Sequence, residues 1–567
     1  MIHKLKYFII PVLLLTVTSC KKSFFDINRD PNNPGTVPVS LLLPTVERAL
    51  GDGLSNGSGN QVTDAGGISQ ILEVYVHRFS GRVNADQYEV TGSDFNVAQT
   101  WNKIYYQELN NLESIITQGT AAGNMQYVGI AKILKGYTFS VLVDVFGDVP
   151  FSEANKLRSG IDYPKFDKDS EIYTAALQLI NEGIENLQDG DAANPLKPGS
   201  DDLIYNGSVA KWVRAAKSIK LKLYTQLRLV QNVGAEVQAL VTENDLISKT
   251  SEGFMLPYGP NGATDDRNPA FYDYIAGQRT NNISPWFYEI MKGYNININA
   301  GLTDPRLPYY FYNQLKPTGV ADGDTEYRDG AFVSIYFGSV GPDKDRSQQN
   351  SMTIVGIYPA GGKYDDGSAG RGSAASGSGA APYRFLTYAD VLYLKAELIH
   401  AGLITGDERV TLQDALTESF KQVDYVVTNF VKPTQAVPAL SGTTTATNYI
   451  SGVLTRYDAG NANKKLEYIM TQKWISSFGS AVDAYTDYRR TGFPVIFNPN
   501  DPVQAPNGIV QPPLNGNPAF PGAQKAVAVQ LVKAYPLSLP WDQTELETNP
   551  NAPGQKNPGT AKVFWMP

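Results

Sequence analysis

Apolar residues recur at three- and four-residue steps along most of this chain, the spacing of amphipathic helices. From Phe95 to Thr117 that face holds Trp101, Ile104, Tyr105, Leu109, Leu112, Ile115 and Ile116. From Val128 to Val145 it holds Ile130, Ile133, Leu134, Tyr137, Val141 and Leu142. The same spacing predicts helices over Tyr173–Leu187, Ser208–Val230, Tyr388–Ala401, Leu412–Phe430, Leu466–Phe478 and Ala484–Arg490. Helices in succession joined by short loops predict a mainly α fold of stacked hairpins. No clean repeat period accompanies them, so a tetratricopeptide solenoid does not follow from repeats. Lys211, Arg214, Lys217, Lys220 and Lys222 make the fourth helix basic, which reads as a solvated face with acidic neighbours.

Three stretches break the periodicity. Phe254 to Phe337 is rich in Tyr, Asn, Pro and Gly, and holds Phe271, Tyr272, Tyr274, Trp286, Phe287, Tyr288 and a Tyr309–Tyr312 run. Gly361 to Ala381 is nearly all Gly, Ser and Ala, which predicts a flexible segment with no core to bury. Asn498 to Ala523 is another Pro- and Asn-rich loop. The first two predict an irregular, aromatic-rich insertion at about 254–381 on a rigid helical frame, the place where ligand contacts are usually built.

Composition narrows the chemistry. Hydrophobic residues make up 42% and charged residues 18% of 567, enough for a large core, and the net charge of −8 argues against a nucleic-acid partner. The chain holds 33 Tyr and 23 Phe; tyrosine joins a flat apolar face to a hydrogen-bonding tip and suits both core rims and sugar-binding surfaces. The single cysteine, Cys20, follows a basic start (His3, Lys4, Lys6), an apolar run Tyr7–Leu15 and Thr16-Val17-Thr18-Ser19. That order is a secretory signal, 1–19, ending in a bacterial lipobox: Cys20 would be acylated and would open a tether over 20–36. Only His77 and His400 then remain, leaving little for a zinc site or a Ser-His-Asp triad.

Sharper motifs weaken on inspection. Asp26-x-Asn28-x-Asp30 has calcium-loop spacing, but Pro31 stands where a calcium loop needs Gly. Asp322-Gly323-Asp324-Thr325-Glu326 reads as an exposed acidic turn, so no metal and no cofactor is assigned. Gly53-Leu54-Ser55-Asn56-Gly57 fits G-x-S-x-G without a preceding strand. A lipid-anchored glycoside hydrolase would need two carboxylates across a cleft, and no string points to such a pair. A purely adhesive surface protein is the remaining rival.

Other strings carry a family likeness. Asp26-Ile27-Asn28-Arg29-Asp30-Pro31-Asn32-Asn33-Pro34 is followed by Ser40–Pro44, Trp101-x-x-x-Tyr105 and Asp144-Val145-Phe146-Gly147-Asp148-Val149-Pro150. Asp202–Gly207 then runs to Lys211-Trp212; Asp304–Leu307, Thr387–Asp390, Gln472-Lys473-Trp474 and Tyr488–Gly492 complete the order. The chain resembles the SusD-like (SusD/RagB) outer-membrane lipoproteins of Bacteroidota. The likeness implies a single domain over 37–567, with tetratricopeptide-like hairpins under a loop-rich ligand-binding half. It implies a SusC-like TonB-dependent barrel as partner, oligosaccharide or peptide as cargo, no catalysis, and an outer-membrane site facing the exterior. It places the ligand between Arg82–Asn96 and about Phe271–Tyr364, with Tyr88, Trp101, Tyr272, Tyr274, Trp286 and Tyr288 as stacking platforms and Arg82 and Asp86 as hydroxyl partners. Glu397 and Arg489 read as members of interhelical ion pairs, and Ser208 as a helix cap.

The anchor is testable on its own. Cys20→Ser should move the protein from membrane to soluble fractions, because acylation is the sole attachment this reading allows; membrane retention of that variant in cells lacking the barrel would defeat it.

Overall fold

The computed structural model describes residues 37–57, 66–82, 86–260, 266–274, 279–344, 350–510 and 525–567. Cys20 and the tether lie outside them. Long helices dominate: α1 (Val39–Leu54), α2 (Ser69–Tyr75), α3 (Phe95–Trp101), α4 (Asn110–Ala122), α5 (Met125–Phe146), α6 (Asp169–Gln188), α7 (Val209–Leu227) and α8 (Gly234–Glu243). After the irregular middle come α9 (Pro285–Lys292), α10 (Tyr388–His400), α11 (Glu408–Val426), α12 (Thr444–Ala459), α13 (Ala462–Ser476) and α14 (Val482–Thr491). A π-helical stretch, Asn102–Leu109, joins α3 to α4 without a break.

Most sequence neighbours pack as hairpins, and α10 closes the frame by packing on α7 and α13 while α14 packs on α5. The tightest hairpin, α5 with α6, is made by glycine. A Cβ placed on Gly136 would lie 2.7 Å from the Ala176 carbonyl, and one on Gly129 would lie 2.8 Å from that of Gly183. Bare backbone therefore lets the two axes approach closely, and any side chain there would force them apart. Caps set several boundaries. Asp94 and Asp407 accept backbone N–H groups at the starts of α3 and α11, and Thr387 and Asp390 form a reciprocal box at the start of α10.

Strands are short and form two-stranded antiparallel pairs among the described residues. Two fasten the irregular middle to the frame: β1 (Phe79–Gly81) pairs with β2 (Asn281–Ile283), and Phe254–Leu256 pairs with Tyr383–Leu386. Most buried apolar residues of both halves form one continuous hydrophobic cluster, with Val333, Ile335 and Met352 in a small cluster of their own.

Several expectations need correction. Glu397 is ion-paired between helices as expected, with Arg490 and, at 2.7 Å, Arg228, but Arg489 is in no such pair among the described residues. Arg489 instead donates to the Leu537 (2.7 Å) and Asp144 (2.5 Å) carbonyls and lies 3.7 Å from the Tyr485 ring centre. Ser208 makes no side-chain cap; the turn before α7 is organised by the Asp202 carboxylate, which accepts from Tyr205 N, Gly207 N and Trp212 Nε1. The basic face of α7 does meet acids but is not all solvated: buried Lys217 pairs with Glu243 and Asp245, Arg214 with Glu252, and buried Lys222 with Asp483. Gly361–Ala381 is not a loose linker. Gly379 N bonds the Gly361 carbonyl, Asn268 binds the Gly379 and Ala381 carbonyls, and a Cβ on Gly362 would collide with the Tyr274 phenol. Ser55, the would-be nucleophile, is buried and donates to the Asp52 carbonyl at 2.8 Å.

Asp144, fully buried on α5, is pushed up to about 7 by burial, with Lys222 and Arg489 opposing the shift, and its Oδ1 accepts from Trp565 Nε1 at 2.9 Å. A carboxyl raised in the fold binds its proton more tightly there than in the unfolded chain, so its contribution falls as pH rises from about 4 to 7 and then levels. The full swing is on the order of 4 kcal/mol. Thermal melts of Asp144→Asn should show a flatter pH dependence between 5 and 8 than the parent; equal slopes would contradict a buried neutral carboxyl.

Candidate functional site

The two segments expected to flank a ligand do meet. Pairing of β1 with β2 sets Gly81 opposite Asn281. Arg82, next in the chain, donates its backbone N–H to the Thr280 carbonyl and its Nε to the Arg279 carbonyl, both at 2.7 Å. Gln70 Nε2 reaches Thr280 Oγ1 at 3.3 Å, and Asn281 Nδ2 donates to the Gln70 carbonyl at 3.0 Å. The end of α1, the start of α2, β1 and the edge of the irregular half thus converge at one junction.

The proposed stacking rings fare differently. Tyr88, Tyr274, Trp286 and Tyr288 are between 2% and 7% exposed, and each is engaged. Tyr88 bonds His77 Nε2 at 2.7 Å and packs edge-on against Tyr75 and Tyr535. Tyr274 lies flat on Phe271, 4.8 Å between centres, and donates to the Val355 carbonyl. Trp286 Nε1 donates to the Val495 carbonyl at 3.2 Å. Tyr288 stacks on Phe332 at 3.7 Å and donates to Asp329 Oδ2 at 2.6 Å. Burial this deep leaves these four rings little surface on which a sugar could stack. Trp101 is also buried, and it packs on Tyr105 and Phe146 in the helical half. Asp86 is spent on backbone, accepting from Tyr88 N (2.9 Å), Lys533 N (3.1 Å) and Val532 N, which staples the 532–533 segment to the β1 loop.

Tyr272 and Arg82 are the two of the eight that stay half-exposed, Arg82 at this junction and Tyr272 on the short helix Pro269–Tyr274. Sequence reasoning missed other polar groups here. Asn56, 2% exposed, has both amide atoms unpaired; Gln70 Oε1 and Ser80 Oγ are unpaired as well. Buried polar atoms without partners are uncommon and mark places where water or a ligand hydroxyl fits. Across the loop over Tyr274, half-exposed Tyr364 packs edge-on against Tyr309 at 4.8 Å, and Lys363 Nζ donates to Tyr312 Oη at 2.9 Å. No local sequence signal distinguishes these residues from their neighbours.

Comparison with known proteins decides the family. A family profile described as SusD-like, starch-binding and associating with the outer membrane matches residues 31–513. The chain belongs to the SusD-like family. Solved structures agree on the fold: a chitin-binding protein shares 18% identity at TM-score 0.63, covering 94% of this chain and 100% of its own. A SusD homologue from Bacteroides fragilis NCTC 9343 shares 17% at 0.63, covering 94% and 99%. A SusD/RagB family protein from Bacteroides thetaiotaomicron VPI-5482 shares 19% at 0.62, again covering 94% and 99%. A search of curated proteins returned no match. Among the described residues of this SusD-like protein, no helix is long and apolar enough to cross a membrane.

Framework and contact residues separate in one experiment. Tyr288→Ala should cost about 3–5 kcal/mol of stability, as large buried aromatics do. Tyr272→Ala should cost less stability than Tyr288→Ala and weaken glycan binding; a folded Tyr272→Ala protein with unchanged affinity would remove that residue from the site.

Proposed function

We propose that this SusD-like protein is a surface lipoprotein, anchored through Cys20, that captures an oligosaccharide at the junction of Arg82, Tyr272 and the β1–β2 edge. It hands the cargo, chemically intact, to a SusC-like TonB-dependent barrel in the outer membrane. The observation that carries the reading is the family match over 31–513, a family of nutrient-binding, outer-membrane-associated proteins. The junction supports it: a half-exposed tyrosine and a half-exposed arginine can stack on and hydrogen-bond a polyhydroxylated ligand.

Acid chemistry points the same way. Glu47 and Asp202 form a close carboxyl pair, and Glu47 is raised well above the usual range by burial and then by Asp202. Both are buried, however, and both serve the turn before α7: Glu47 accepts Leu203 N at 2.8 Å, and Asp202 takes the bonds described above. Such a pair organises backbone rather than facing a cleft, as glycosidic hydrolysis requires.

Affinities of such sites, built from stacking and a few hydrogen bonds, should fall in the micromolar to millimolar range. Calorimetry against a panel of glycans and peptides, run beside product analysis on the same panel, tests the proposal. Glycan binding without turnover is expected; turnover would favour an anchored hydrolase, and binding confined to peptides would reassign the cargo.

A further inference from the structure

A second concavity lies far along the sequence from the junction, where α5 ends against the C-terminal tail. Its volume is about 460 Å³, within the roughly 300–1,000 Å³ of small-ligand sites. Trp541, Val563, Phe564 and Met566 supply an apolar wall; Asp148, Asp169, Lys168, Lys556, Lys562 and Ser538 supply polar groups. The wall is rigid. Trp541 Nε1 donates to the Asp148 carbonyl at 2.8 Å, its ring meets Phe166 edge-on at 5.3 Å, and Phe564 packs edge-on against Tyr173 at 5.5 Å. The charges are held too: Lys168 pairs with Asp148 at 2.7 Å, Asp169 accepts Phe564 N at 2.9 Å, and Lys562 donates to the Pro567 carbonyl at 2.6 Å.

Lys556 is the unusual member. Its amine donates to the Phe146 carbonyl at the end of α5 and lies 4.5 Å from the Trp541 ring centre. Burial pushes it down to about 7, against the pull of Asp148, so near neutral pH a large share is uncharged and able to accept as well as donate a hydrogen bond.

From this lining we infer that the Trp541–Phe564 cavity is a second carbohydrate site, taking a short neutral oligosaccharide with its C–H face on the half-exposed Phe564 and Met566 and its hydroxyls on the Asp148–Lys168 pair and Lys556. The mixed signs select the ligand. A polyanion would meet Asp148, Asp169 and the carbonyl end of α5, whereas a polycation would meet Lys168 and Lys562. A neutral ligand that both donates and accepts suits all of them. The ligand class rests on the carbohydrate reading above; the lining of this cavity shares no residue with the junction.

Titrations of the full chain with maltotriose, cellotriose and chitotriose, each with calorimetry and crystal soaking, test the inference. At least one trisaccharide should appear against Phe564 in soaked crystals. Ala561→Trp, which fills the cavity, should weaken one binding event at least tenfold while Tyr272→Ala leaves that event unchanged. Soaks with no sugar at Phe564, together with isotherms unaltered in a folded Ala561→Trp protein, would overturn it. Loss of all binding in Tyr272→Ala would overturn it too, leaving the junction as the sugar site. Loss of all binding in Ala561→Trp, with Tyr272→Ala silent, would instead sink the junction and keep this cavity.

Discussion

The helical frame depends on charges buried where no water can reach them. Arg490 on α14 holds Glu397 on α10 with both ends of its guanidinium and reaches Asp487 at 2.8 Å. Arg228, just past α7, shares Glu397, and Lys473 on α13 closes on Asp487 at 2.7 Å. Burial alone would drive Glu397 upward, yet Arg490 and Arg228 hold it well below the ordinary carboxylate range. Four helix regions are thereby committed to one arrangement, since parting any of them strands an ion in a dry interior at a cost of several kcal/mol. Such a network adds less net stability than an apolar core of the same volume, but it penalises misregistered stacking of hairpins whose apolar faces look alike.

The irregular half faces the opposite difficulty. Coil carries backbone carbonyls that no ladder satisfies, and burying them unpaired is costly. Here side chains make up the deficit, tyrosine above all: Tyr309 donates to Pro438, Tyr312 to Gly370, and Tyr485 to Pro536. Arginine does the same across the boundary between halves. Arg78 binds Glu73 in the frame and donates to the Trp474 carbonyl at 2.7 Å, while its own carbonyl accepts Ser284 N. Arg384 donates to the Phe478 carbonyl at 2.5 Å and stands over the Tyr358 ring. The aromatic wealth of the chain is thus in large part a means of packing loops, and a ring's presence in the irregular half says little about cargo.

This explains what could and could not be read from the residues alone. The long helices were legible because burial imposes a period on them, and their ends fell within a few residues of those expected. Thr444–Ala459 escaped because its exposed face is Thr, Asn and Ser, and Val39–Leu54 because Pro44 lies inside it. The π-helical turn after Trp101 leaves no mark, since its side chains keep near-helical spacing. At the site, the junction of Arg82 with Thr280 followed from the family likeness, not from any pattern. Tyr288 and Tyr272 are the same residue type in the same composition, and only tertiary packing makes one a strut and the other half-exposed. Arg489 and Arg490 are adjacent for a similar reason: one helical step decides which faces Glu397 and which faces the C-terminal tail.

A division of labour follows. Struts such as Tyr88 and Tyr288 are tied to stability, so changing them endangers the fold, whereas side chains that keep an exposed face can change at smaller cost. Relatives sharing less than a fifth of their residues with this chain keep its fold at TM-scores of 0.62–0.63. A frame locked by buried ions and loops clamped by buried phenols permit that drift, because neither depends on what the rim contacts. Cargo preference can then move through a few surface side chains on an unchanged body. Binding tolerates such drift better than catalysis does: a reacting centre needs its groups held to a fraction of an ångström, while stacking and hydroxyl contacts accept many arrangements.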